Sequence, residues 1–244
     1  MNSKNAAILG ALVADSATLG LHWIYDPKRI AEIETSKELV FLEPDADNYT
    51  GIKGHFEHGR KVAGESSSYG EVCLLMLQHL VEHGNFNRTE YQVEYRTHFG
   101  PGGAYVGYID SPTRQTLHVL LPLEPKAFPA LSGADDDQFL SLAALPSLVV
   151  THADTIEVLM KRVDEMVRVT NNNDLAVAAA QCSAAALFKI LHDVPINKAL
   201  VDAIQFAGDK LGPLLEEALS IQALDSITVA KRFGLVCHVA KVCL

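Results

Sequence analysis

Residues 170–190 read TNNNDLAVAAAQCSAAALFKI. The asparagine and aspartate side chains offer oxygens to the free amides of a first helical turn, so a helix is expected to begin near Asn173. The alanine-rich run that follows has high helix propensity, and its small residues on many sides let neighbouring helices approach closely. Outward from this stretch, nearly every periodic segment spaces its apolar residues as a helix does, and none shows a sustained alternation. The class expected is all-α, a compact multi-helix bundle. Helices are predicted at about residues 5–21, 69–83, 89–98, 138–149, 153–169, 173–191, 196–207 and 214–233. Residues 26–68 and 100–112, where Gly, Pro, His and Tyr concentrate, read as long irregular segments, which in a helical protein carry function or move. There is no internal repeat, low-complexity tract or linker, so 1–244 reads as one domain.

The chain has 244 residues, 48% of them hydrophobic and 20% charged, enough to bury a sizeable core. A formal charge of −10 and the absence of a basic run argue against nucleic acid as a partner. The N-terminal apolar run resembles a signal peptide, but Asp15 interrupts it and little positive charge precedes it, so a cytoplasmic protein is expected. The longest apolar windows are broken by Asp15, Glu71 or Pro146, short of the roughly 20 residues of a membrane helix. No membrane partner is expected. Cys73, Cys182, Cys237 and Cys243 show no CxxC spacing and read as reduced core thiols.

Residues 66–77, SSSYGEVCLLML, place Glu71 on the first turn of an apolar helix. Burying a lone carboxylate is costly, so Glu71 caps amides, faces solvent or holds a cation. The spacing Ser68 to Glu71 is that of a capping box. Asp135, Asp136 and Asp137, in GADDD before FLSLAAL, are open to two readings: acids at a helix N-terminus, or mutually repelling carboxylates that attract a cation. His22, Trp23 and Tyr25 in HWIYDP read most simply as rings closing over the first helix. His55 and His58 lie three apart in a loop, too sparse for a metal site, and are expected to be exposed. Tyr105, Tyr108 and Asp110 in GPGGAYVGYIDSP either line a pocket or order a loop.

Several pieces resemble one family. GALVADSATLGLHWIYD, GESSSYGEV, YVGYIDSPTRQTL, GADDDQFLSLAALPSLV and VRVTNNNDLAVAAA resemble the ADP-ribosylglycohydrolase superfamily, in particular its J-crystallin-like branch, in order and spacing. The resemblance implies an all-α fold and, in active members, two Mg2+ ions beside the ribose of an ADP-ribosyl linkage, held by oxygen ligands. It implies Glu71 as catalytic and metal-ligating carboxylate, and His22, Tyr69 and Gly70 around ADP-ribose or an ADP-ribosylated substrate; Asp135 and Asp137 are metal ligands only on the cation reading of the acidic run, which lies well upstream of the family's terminal motif, and Tyr108 joins the ligand on the pocket reading of its loop.

The departures are chemical. The family's Thr-Asp-Asp-Thr motif falls at Tyr69, Gly70, Glu71 and Val72, its first-helix glutamate at His22, an arginine at Ala143, and a Thr-His pair at Thr170-Asn171. Its C-terminal Gly-x-Asp-x-Asp-Thr element has no counterpart before Leu244. Three readings therefore stand: a Mg2+-dependent hydrolase of ADP-ribosyl bonds, a catalytically silent ligand-binding or crystallin-like member, or a C-terminally incomplete chain. The last implies self-association through apolar surface around Phe233, Leu235 and Val236.

Overall fold

A computed structural model describes residues 2–152, 154–221, 223–234 and 238–239. The helices are α1 (Ser3–Thr18), α2 (Pro27–Glu34), α3 (Ser68–His83), α4 (Arg88–Phe99), α5 (Ser111–Leu120), α6 (Leu145–Thr151), α7 (Ile156–Thr170), α8 (Asp174–Leu191), α9 (Ile196–Ala203), α10 (Gly208–Ser220) and α11 (Ser226–Phe233). Among the described residues there is no strand, only isolated bridges. The fold is all-α.

The caps explain the boundaries. Asn173 accepts from the amides of Leu175 and Ala176 and starts α8. Ala176, Ala180, Ala184 and Ala185 are fully buried, so α6, α7 and α9 close onto α8 with little side chain between. By length and composition α8 would also pass for a membrane span, yet it packs within the main core. Around it lie Met76 and Leu75 of α3, Tyr91 and Tyr95 of α4, Leu140, Leu148 of α6, and Leu159, Val163 and Met166 of α7. Cys73 and Cys182 are buried free thiols, and burial pushes the Cys182 thiol up to about 11. Cys237 and Cys243 lie outside the described residues.

Three expectations are corrected. The segment 26–68 contains α2, started by Asp26, whose carboxylate accepts from Lys28, with Pro27 in the first turn. A small second cluster of Ile24, Ile33 and Leu42 anchors this region. The segment 100–112 ends in the start of α5, capped by Asp110 with Pro112 just inside. The expected helix 214–233 is two helices, because the carboxylate of Asp225 captures the Thr228 amide and restarts the chain. Phe233 packs partly buried against the core, while Leu235 and Val236 lie outside the described residues. On α1, by contrast, Leu9 and Val13 are 48% and 52% exposed.

Candidate functional site

The start of α3 is braced from α1. Ser67 is the N-cap, its Oγ accepting from the Tyr69 amide at 3.1 Å. Ser67 in turn gives its own amide to Asp15 Oδ2 at 2.8 Å and its hydroxyl to Asp15 Oδ1. The Asp15 carboxylate consequently fills the space over position 70, where a Cβ would stand 2.4 Å from Oδ2 and 2.9 Å from Ser66 Cβ. Only glycine fits there. With Ser67 rather than Ser68 as cap, Glu71 sits one position beyond the reach of a capping box. Its Oε2 instead lies 3.0 Å from His98 Nε2 on α4, both side chains partly buried. Tyr69 packs half-buried against the core.

A second group gathers where α1 ends. Trp23 has φ of 63°, an outlier for a bulky residue and a sign of local strain. Its ring stacks on His58 at 5.1 Å and meets Tyr108 edge-on at 4.9 Å. The loop carrying His58 is laid alongside by an Ile24–Gly54 bridge and a His55 amide donated to Trp23 O. His58 is 2% exposed, which corrects the expectation of an exposed side chain; the sequence separation of its partners hid this.

The hydrogen bonds here fix the tautomers. Thr18 Oγ1 donates to Ala14 O at 2.9 Å, so it accepts from His22 Nε2 at 3.1 Å. His22 Nδ1 is then the acceptor for His58 Nε2–H at 3.1 Å. The relay ends on His58 Nδ1, a buried lone pair without a partner. Burial, together with His22 and Lys61 nearby, holds His58 down at about 4, and burial also lowers His22 against the pull of Asp15. Both imidazoles are neutral at physiological pH. On the same side, Tyr105 donates to Tyr108 O at 2.9 Å, and Lys61 Nζ lies 4.7 Å over the Tyr105 ring.

The acidic loop is fixed by Asn171, which is fully buried and donates to Asp136 O at 2.9 Å and Gln138 O at 3.1 Å. Gly133 lets the loop lie on the end of α7, since a Cβ there would stand 2.5 Å from the Asn171 amide. Asp135 Oδ1 accepts from Asn173 Nδ2 at 2.8 Å. Asp136 accepts from the amide and side chain of Gln138 at 2.9 and 3.1 Å, a local turn just ahead of the 3-10 helix Phe139–Ala144, whose own start has no side-chain cap. Asp137 Oδ1 lies 2.5 Å from His238 Nδ1. Asp110 is 3% exposed; Oδ1 accepts from Thr113, whereas Oδ2 has no partner. Burial, and secondarily Asp136, push its carboxyl above the usual range.

Among the described residues, two groups have metal-ligand spacing, His79–His83–Glu94 and Asp136–Asp137–His238. Neither contains Glu71 or Asp135. The residues therefore do not fit a pair of Mg2+ ions held at the start of α3: one carboxylate is committed to His98, position 70 has no room for another, and His22 is a neutral imidazole. Sequence reasoning missed Asp15, His98 and Asn171. For Asn171 a signal existed, a polar residue directly after an apolar helix; Asp15 and His98 reach their partners only through the tertiary fold.

The ADP-ribosylglycohydrolase family model matches residues 5–241. Crystallin J1B of Tripedalia cystophora is 36% identical over 200 residues, covering 77% of this chain and 58% of the crystallin. Crystallin J1A of the same animal is 36% identical over 199 residues with the same coverage. The chain thus matches little more than half the length of these curated relatives. No solved structure matches it significantly. By sequence and by its all-α architecture, the chain belongs to the ADP-ribosylglycohydrolase family.

Proposed function

We propose that this chain is a ligand-binding member of its family, taking ADP-ribose or a related ribose-bearing compound beside His22, Tyr69, Gly70 and Tyr108, with little or no hydrolysis of the glycosidic bond. The observation that carries the reading is the start of α3, where Asp15 occupies the space over Gly70 and His98 holds Glu71. Glycosidic cleavage needs a positioned acid and an electrostatic stabiliser, and removing one such stabiliser costs about 10² to 10³ in rate. Glu71 is the remaining candidate for the catalytic carboxylate. A Mg2+ ion with Glu71, Asp135 and Asp137 as donors would be weakly held, since all three already have partners.

The aromatic and imidazole group supports binding. Rings of Trp23 and Tyr108, a neutral histidine relay and Lys61 offer stacking, hydrogen bonds and one positive charge. The buried free thiols of Cys73 and Cys182 fit a reducing cytoplasm. A second reading, a crystallin-like structural role, is favoured by the names of the relatives. It would use the apolar face of α1, with exposed Leu9 and Val13, for self-association.

Trp23 is the only tryptophan in the chain, so its fluorescence reports on the site directly. Titration with ADP-ribose should change the emission, and Tyr108→Ala should weaken the response. No change at saturating ligand, with no bound nucleotide by calorimetry, would favour the structural reading instead.

A further inference from the structure

We infer that His58 Nδ1 is the acceptor that sets specificity at the aromatic site, taking a hydrogen bond from an uncharged O–H or N–H donor of the bound compound, with the Trp23 indole as the cover that moves aside to admit it. The inference rests on the binding reading above and narrows it to compounds that present such a donor, a ribose hydroxyl among them.

His58 is 2% exposed, and its Nδ1 is buried without a partner. An acceptor withdrawn from water and left unpaired carries a free-energy cost that a bound donor removes. The relay fixes which atom this is. Thr18 Oγ1 accepts from His22 Nε2, and His22 Nδ1 accepts from His58 Nε2, so the one proton of the neutral His58 ring points at His22 and Nδ1 keeps its lone pair. His79 makes the contrast, because both of its nitrogens are engaged. Its Nε2 accepts the Asn87 amide at 3.0 Å, and its Nδ1 donates to Glu94 at 2.8 Å. That ring is a clamp between α3 and α4, whereas His58 has one position left to fill.

The surroundings select the chemistry of the donor. A carboxylate or phosphate oxygen would set lone pair against lone pair at Nδ1. An ammonium group would meet the positive charge of Lys61, which sits one turn on, its amide donating to His58 O at 2.9 Å, and which already disfavours a cation at His58. A neutral hydroxyl, amide or amino group incurs neither penalty. A site built around such an acceptor rejects an analogue that lacks the donor, since the buried atom is then left unpaired.

Access is through Trp23. Its indole lies on the His58 ring at 5.1 Å with 29° between the planes, and it is only half-buried. Its backbone sits at φ 63°, a conformation that a bulky residue keeps only under constraint from its surroundings. A constrained residue thus covers an unsatisfied acceptor, the arrangement expected of a closed state that a ligand opens. Tyr108, edge-on to the same indole at 4.9 Å, remains as a wall for the compound.

The test follows the full chain with isotope-labelled histidine by nitrogen NMR, while ADP-ribose or methyl ribofuranoside is added. In the free chain His58 Nδ1 should resonate as an unprotonated nitrogen without a hydrogen bond. Either compound should move it to the hydrogen-bonded position and change the Trp23 emission. His58→Gln keeps a donor toward His22 but lacks the Nδ1 acceptor, so it should weaken binding about tenfold, the worth of one hydrogen bond, with its circular dichroism unchanged. An Nδ1 already hydrogen-bonded in the free chain would overturn the inference, because a buried water then fills the position. ADP-ribose binding that leaves Nδ1 unmoved would overturn it while the binding reading stands. Methyl ribofuranoside moving Nδ1 with no binding of ADP-ribose would uphold the inference and remove that reading. No response to either compound would remove both.

Discussion

Two of the acidic stretches at helix starts, the beginning of α3 and the loop 135–137, use their carboxylates differently. At α3, every oxygen of Asp15 is consumed by Ser67, and Glu71 reaches away to His98. At the acidic loop, Asn171 and Gln138 fix the backbone and one carboxylate, yet Asp110 Oδ2 is left buried and unpartnered. The first start ties its acids across the fold to Ser67 and to His98 of α4; the second ties Asp135 to Asn173, Asp136 to Gln138 and Asp137 to His238. The same residue types therefore brace packed helices in one place and shape a loop in the other.

The contrast breaks most visibly at position 70. Gly70→Asp, which restores the family's aspartate, should destabilise the protein by about 3 kcal/mol or more, because its Cβ meets Asp15 Oδ2 at 2.4 Å. It should not create Mg2+ binding. Urea denaturation and calorimetry on the variant measure both, and tight Mg2+ binding by a stable variant would show that the start of α3 is open after all.

Next in size is the histidine relay. His58 is held at about 4 in the folded protein against 6.5 unfolded, so below pH 6.5 the unfolded chain takes up a proton that the folded chain refuses. This contribution is complete above pH 6.5 and is lost as pH falls toward 4, amounting to about 3 kcal/mol at most. His58→Gln should flatten the stability profile across that window. An unchanged slope would mean that His58 is not the buried neutral end of the relay.

Asn171→Ala should cost about 2 kcal/mol, since it strips the buried donors from the carbonyls of Asp136 and Gln138. It sharpens the comparison by loosening the acidic loop while leaving α3 intact, which local hydrogen exchange would resolve. The smallest effect belongs to Glu71→Gln, about 0.5 kcal/mol, because its pair with His98 is partly exposed and an amide retains a hydrogen bond.

Much of this fold was legible in the sequence. The asparagine run before α8 and the serine run before α3 are short-range signals, and the helices begin where those caps predict. Helices α2 and α5 were hidden because glycine and proline density outweighed a cap followed by proline, Asp26-Pro27 and Asp110-Ser111-Pro112, which is itself a start signal. The site was less legible. His22 and Tyr108 are local to recognisable motifs, and the fold brings them to the same tryptophan. His58 and His98 meet their partners 36 and 27 residues away in the chain, and the link from Asp15 to Ser67 spans 52, separations that no local pattern encodes.

Ligand recognition without glycosidic cleavage is the function proposed for this chain. Its most direct test is a single-turnover assay with ADP-ribosylated arginine and serine peptides at excess protein, with and without Mg2+, in parallel with binding of ADP-ribose. Saturable binding with no release of ADP-ribose above background is the predicted result. Mg2+-dependent release at a rate ordinary for a glycosidase, abolished by Glu71→Gln, would contradict it.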